Sequence, residues 1–234
     1  MNIFAIIQSR VTSERFPNKV RQKISNKYLY EYLHDRLLKS KILNKIIFVI
    51  PNNKKNNSFY KDLKKKKFNV FKGSEYNVLN RYYKAAKNFK ADIIVRITGD
   101  CPLIDVNLMD KMLFKFIEKK FDFMSNNDPA TYPDGLDIEI FKFKLLQKAN
   151  FSARENYDKE HVTPYIKKMK NIKKFNYKNN LGDFSKIRLT VDEKTDIEFI
   201  KKLVKKFGNK SINCKTIMNF YKKNKKFFKT SLLI

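Results

Sequence analysis

At 234 residues the chain is long enough to bury a substantial core as one domain. Its hydrophobic fraction of 42% and aromatic fraction of 14% exclude intrinsic disorder, and no apolar run approaches the ~20 residues that a membrane-spanning helix needs. The formal charge of +29 is carried mainly by lysine, with only eight arginines, in scattered runs such as 64–67 and 222–223. Bidentate phosphate and base recognition favours arginine, so nucleic acid is not expected as the partner. The charge is read as a compositional bias that also attracts an anionic substrate. The apolar segment 1–7 is too short for a secretory core and is cut off by Arg10, so a cytoplasmic location without membrane partners is expected. Cys101 and Cys214 have neither metal-ligand nor redox spacing and read as buried free thiols.

In chain order, the apolar run 3–7 predicts a buried strand and residues 28–40 a helix. A second strand at 45–50 is closed by Pro51, and a helix over 58–66 leads to a short strand at 69–71. A helix over 76–89 precedes a strand at 92–97; another over 106–119 precedes a strand near 121–125. Near-continuous apolar strands alternating with helical patterns predict an α/β fold, a doubly wound and mostly parallel sheet with right-handed crossovers. The second half is less regular, with strands predicted at 138–141 and 187–191 and helices at 144–150, 159–168, 196–207 and 216–223. Residues 126–137, carrying Pro, Asp and Asn, form a loop long enough to suggest a function. No repeat or flexible linker is visible, so 1–234 reads as a single domain with a small insertion in its second half.

The sequence holds just five glycines, and each should mark a place where a side chain is not tolerated. In an open α/β sheet, ligands bind beyond the carboxyl ends of the strands. That rule gathers residues 8–19, 73–81 and 98–103 around one crevice, with Gly73 and Gly99 in the last two segments. The first segment, Gln8-Ser9-Arg10 through Arg15 to Lys19, combines three cations with hydroxyl groups and a stiffening Pro17. A polyphosphate is bound by such a set, although a solvated basic loop would read the same way; the glycines of a Walker loop are missing. Asp100 follows Gly99 at a strand end, where it reaches a phosphate through Mg²⁺ or else caps the next helix or turn. Asp192 repeats the pattern after 187–191, with the same two readings.

Taken together, Ile7-Gln8-Ser9-Arg10, Arg15-Phe16-Pro17-Asn18-Lys19-Val20, Gly73-Ser74-Glu75, Arg81-Tyr82-Tyr83 and Arg96-Ile97-Thr98-Gly99-Asp100-Cys101-Pro102 carry a resemblance. With Tyr132-Pro133-Asp134-Gly135-Leu136-Asp137 and Glu160-His161-Val162-Thr163-Pro164-Tyr165, the chain resembles the spore coat polysaccharide biosynthesis protein F branch of the cytidylyltransferases. That branch is related to the acylneuraminate and 3-deoxy-manno-octulosonate cytidylyltransferases. The resemblance spans about 1–207, and Asn18 stands where a glycine is usual, a position that Asn fills in a left-handed backbone.

The resemblance implies a homodimeric enzyme with a nucleotide-diphospho-sugar transferase-like fold. It would transfer CMP from CTP to a sugar or sugar acid, for surface polysaccharide or glycoconjugate synthesis, with Mg²⁺ as cofactor. Arg10, Arg15 and Lys19 are then expected on the triphosphate, and Asp100 with Asp192 on the metal. Gln8, Ser9, Gly73, Ser74, Arg81 and Gly99 are expected around the nucleotide. Asn126, Tyr132, Asp134, Asp137, Glu139 and His161 are expected on the acceptor sugar, within an acceptor-binding or dimerising insertion over 126–180. Arg96 pairs with an acceptor carboxylate or phosphate, or else forms a structural ion pair. Arg154 lies near enough to His161 in sequence to join it. Another nucleotide or a polyol phosphate acceptor is the alternative within enzymes, and a basic nucleic-acid-binding module the alternative outside them.

Overall fold

The computed structural model describes residues 1–232. Apolar residues on both faces of the first strand set the architecture. In β1 (Ile3–Gln8), Ile3, Ala5 and Ile7 face one core while Phe4 and Ile6 face the other. A strand buried on both sides belongs in the middle of a helix-covered sheet. β1 pairs in parallel with β4 (Lys45–Pro51) and with β6 (Ile93–Thr98), and β5 (Asn69–Gly73) extends the parallel block beyond β4. On the other side of β6 lie the antiparallel β8 (Glu139–Lys142), then β7 (Phe123–Ser125) and β9 (Lys174–Asn176). The order is therefore β5-β4-β1-β6-β8-β7-β9, with only β8 reversed. The expected doubly wound, mostly parallel α/β sheet is present. A two-residue hairpin, β2 (Lys23–Ile24) with β3 (Lys27–Tyr28), stands apart from it.

The first core lies beneath α1 (Leu29–Leu37), α2 (Asn57–Lys65), α4 (Val106–Glu118), α8 (Lys194–Ser211) and α9 (Cys214–Lys223). The second lies beneath α3 (Val78–Phe89), α5 (Phe143–Ser152) and the short α7 (Pro164–Lys168), with α6 (Asn156–His161) set against α3 and α7. Residues 126–180, read from sequence as an insertion, supply β8 and β9 to the sheet and α5 and α7 to the second core.

Three sequence expectations change. The helix expected over 159–168 is two helices, because Pro164 cannot donate to the preceding turn. The strand expected over 187–191 is an extended segment that forms isolated bridges, Asp134 with Arg188 and Ile187 with Leu232, and no ladder among the described residues. Strand β9 was not expected; its three residues, Lys174 to Asn176, are too few to show a period. Among the described residues, no helix is long and apolar enough to cross a membrane. Cys101 and Cys214 are both free and buried, as their spacing suggested.

Candidate active site

The carboxyl ends of β1, β5 and β6 open into a cleft of about 1000 Å³. Backbone contacts fix its floor. Gly99 donates its N–H to the Gln8 carbonyl at 2.8 Å, and Ser9 donates to Val49 at 3.1 Å. A methyl group on Gly99 would come within 2.1 Å of the Ser9 hydroxyl, so only glycine permits this approach.

Residues 10–19 loop over the floor. Phe16 and Val20 plug the loop into the core, and the Val11 N–H donates to the side chain of the fully buried Asn56 at 3.1 Å. Asn18 is left-handed (φ 58°, ψ 23°) and donates to the Val11 carbonyl at 2.9 Å, so it takes the conformation for which glycine is usual. This turn places Lys19 inward. Its ammonium donates to Asp100 Oδ2 at 2.7 Å and to Asp192 Oδ1 at 2.8 Å. Arg15 takes the other oxygen of Asp192 at 2.9 Å. Burial disfavours the charged form of Lys19, but Asp100 and Asp192 outweigh it and raise its pKa above the ordinary lysine value. Asp192 is pushed up by burial and pulled further down by Lys19, then Arg15, ending below the usual carboxylate range.

The helices that follow the two aspartates are capped by other residues. Asp105 caps α4, accepting from Leu108 at 3.1 Å, and Asp196 with Glu193 forms the capping box of α8. Asp100 and Asp192 are tied to one another through the backbone, with Val191 donating to the Asp100 carbonyl at 2.8 Å. The segment after β6 and the segment before Asp192 are thus linked by this bond rather than by a ladder.

The rest of the nucleotide set divides. Gln8, Ser9, Arg10, Arg15, Arg81 and Gly99 line the cleft. Arg81 is buried and donates to the carbonyls of Ser74 and Glu75, which shapes the turn after β5; burial lowers its pKa to about 10. Gly73 is needed there because a methyl group would lie 2.8 Å from Cγ of Arg81. Ser74 accepts from Asn77 at 3.0 Å and supports the same turn from outside the cleft lining.

The expected acceptor set separates further. His161 lines the cleft beside Glu160, Lys159 and Asn156, its ring 4.5 Å from that of Tyr157. Glu139 is instead a buried structural anion. It accepts from Arg96 at 2.6 Å and Thr163 at 2.9 Å, and Lys167 lies 3.0 Å away. Arg96 therefore takes the structural reading, and its second nitrogen donates to Gln8 Oε1 at 3.2 Å. Burial pushes Glu139 up, Arg96 and Lys167 pull it below its ordinary pKa, and no exposed face is left to meet a sugar. Asn126 is also committed, donating to the Leu136 carbonyl and accepting from the Ile138 N–H, each at 2.8 Å. Tyr132 lines a separate groove with Phe175, Tyr177 and Met218. Asp134 accepts from Thr190 at 3.0 Å, and burial raises its pKa. Asp137, partly buried, is pushed up to about 7 by burial, then by Asp134 and Glu139. Neither aspartate lines the cleft, nor does Arg154.

Asn56, Thr163 and Lys167 were missed from sequence. Thr163 lay within a recognised segment, but only the register of β8 against β6, Arg96 opposite Glu139, shows what it anchors.

Comparison with known proteins supplies the deciding observation. The profile of the cytidylyltransferase family matches residues 4–229. The chain belongs to the cytidylyltransferase family. This cytidylyltransferase is 38% identical over 226 residues to an uncharacterised protein of Methanocaldococcus jannaschii, covering 96% of this chain and 92% of that one. It is 30% identical over 220 residues to the spore coat polysaccharide biosynthesis protein SpsF of Bacillus subtilis, 89% of each chain. A solved cytidylyltransferase from Leptospira borgpetersenii superposes with a TM-score of 0.92 at 32% identity, covering 100% of this chain and 99% of that one.

Proposed function

We propose that this cytidylyltransferase transfers CMP from CTP to a hydroxyl of a sugar or sugar acid, releasing pyrophosphate, in cytoplasmic synthesis of a surface polysaccharide or glycoconjugate. One observation carries the reading: Lys19 joins Asp100 and Asp192 at 2.7 and 2.8 Å inside a cleft that Arg10 and Arg15 also line. Cations for a triphosphate thus stand against two carboxylates that fit Mg²⁺, which takes one or two protein carboxylates and completes its shell with phosphate oxygens and water. When bound there, Mg²⁺ would neutralise phosphate charge and ease ionisation of the attacking hydroxyl.

The chain's own groups do the rest. Arg10, Arg15 and Lys19 hold the triphosphate and stabilise the negative charge that collects on the departing pyrophosphate. Gln8 and the Arg81-supported turn bound the nucleoside side. His161, Glu160 and Lys159 form the facing wall, where an acceptor hydroxyl is brought into line with the α-phosphorus. A homodimer is proposed on family grounds.

The test is pyrophosphate release with CTP, ATP, GTP or UTP against a panel of sugar acids, sugar phosphates and polyol phosphates, with Mg²⁺ or EDTA. Release should need CTP, Mg²⁺ and a sugar or sugar acid. Preference for another nucleotide or for a polyol phosphate would overturn the reading.

A further inference from the structure

Metal sites built from two aspartates face an obvious difficulty: like charges a few ångströms apart repel unless something positive lies between them. Here that something is covalently part of the chain. The Lys19 ammonium lies 2.7 Å from Asp100 and 2.8 Å from Asp192, with its side chain only 11% exposed. Its backbone is fixed by the turn, donating to Phe16 at 3.2 Å and accepting from Gln22 at 3.0 Å. Only its four-carbon stem is free to swing, which suits a point charge that can be re-aimed.

We propose that Lys19 is a tethered counter-ion that withholds the Asp100–Asp192 pair from free divalent cations and yields it when a triphosphate draws the ammonium away. The proposal rests on reading the pair as the Mg²⁺ site. A free ion must displace a charge held next to the carboxylates at high effective concentration, and Mg²⁺ sheds water reluctantly. A triphosphate removes both obstacles, since it attracts the ammonium and supplies ligand oxygens of its own. Cation and nucleotide then favour one another's binding, and the coupling is equal in both directions. Arg15 meets only Asp192 and is 62% exposed, so it contributes less to the blockade.

Mn²⁺ serves as a paramagnetic probe, titrated into the full chain without nucleotide and followed by loss of the free-ion resonance. The wild type should bind Mn²⁺ in the millimolar range. Lys19→Met should bind at least tenfold tighter, and Arg15→Met no more than about threefold tighter. Lys19→Gln, which keeps a hydrogen-bond donor should the apolar variant fail to fold, should also gain. Mn²⁺ affinity unchanged or weakened in folded Lys19 variants would overturn the proposal. Two failures remain distinguishable. If Mn²⁺ binds the wild type tightly and Asp100→Asn abolishes it, the pair is the cation site and only the role of Lys19 falls. If neither aspartate variant alters Mn²⁺ binding, with or without CTP, the metal reading itself falls and the proposal with it.

Discussion

Three carboxyl groups, Asp134, Asp137 and Glu139, sit within six residues, and the fold treats each differently. Glu139 receives Arg96, Thr163 and Lys167, Asp134 receives the Thr190 hydroxyl, and Asp137 receives mainly desolvation. Side chains two apart on a strand share a face, so spacing alone would pair Asp137 with Glu139. Asp137, however, precedes β8, and Arg96 and Lys167 form their ion pairs with Glu139. With its pKa pushed from 3.8 to about 7, Asp137 keeps its proton in the folded chain after the unfolded chain has released it. Its contribution to stability therefore falls as pH rises from about 4 to about 7 and stays low above that. Asp137→Asn should remove this dependence, so the difference in thermal midpoint between variant and wild type should grow across that window in favour of the variant. A constant difference from pH 4 to 8 would show that Asp137 is ionised in the fold.

Elements explain what single residues cannot. The break between α6 and α7 is a γ-turn: Thr163 donates to the His161 carbonyl at 2.8 Å, and the buried Val162 takes φ 72° and ψ −53°. A β-branched residue at positive φ is strained, and it is held by the Thr163–Glu139 bond on one side and by core packing on the other. Pro164 was a visible stop signal in the sequence, but the conformation before it was not. The glycines were more legible. Gly135, at φ 92°, lies where a methyl group would meet the Leu189 carbonyl carbon and the Thr190 nitrogen, both at 2.7 Å. Both are backbone atoms of the extended segment that ends in Asp192, so neither can yield cheaply. Gly135→Ala should destabilise the protein by about 2 kcal/mol or more in urea melts. Its kcat should fall further than the lost folded fraction explains, because Asp192 moves with the segment. A drop in activity that tracks folded fraction alone would detach Gly135 from the site.

At the scale of the whole molecule, the α/β class and the cluster of Arg10, Lys19, Gly99 and Asp100 were legible, since apolar strands and strand-end ligand geometry follow local rules. Legibility ended at contacts that depend on register, such as Arg96 with Glu139, and at the second half, where the expected strand over 187–191 is an extended segment with isolated bridges. The net charge of +29 acts at this scale too. A strongly positive surface speeds the approach of a tetra-anionic nucleotide, and salt screens it over about 10 Å at 0.1 M. Raising ionic strength from about 0.05 to 0.5 M should lower kcat/KM for CTP severalfold while changing kcat little; a flat response would confine electrostatics to the cleft.

The sheet order also says something about how the molecule is put together. β5, β4, β1 and β6 all come from residues 3–98 and can pair as soon as that stretch exists. β7 is different: it joins that block through β8, which lies between it and β6 and follows it in the chain. Among the described strands, β7 reaches β6 through 139–142, and β9 reaches the sheet through β7. The reversed strand is thus a keystone from which the far end of the sheet hangs.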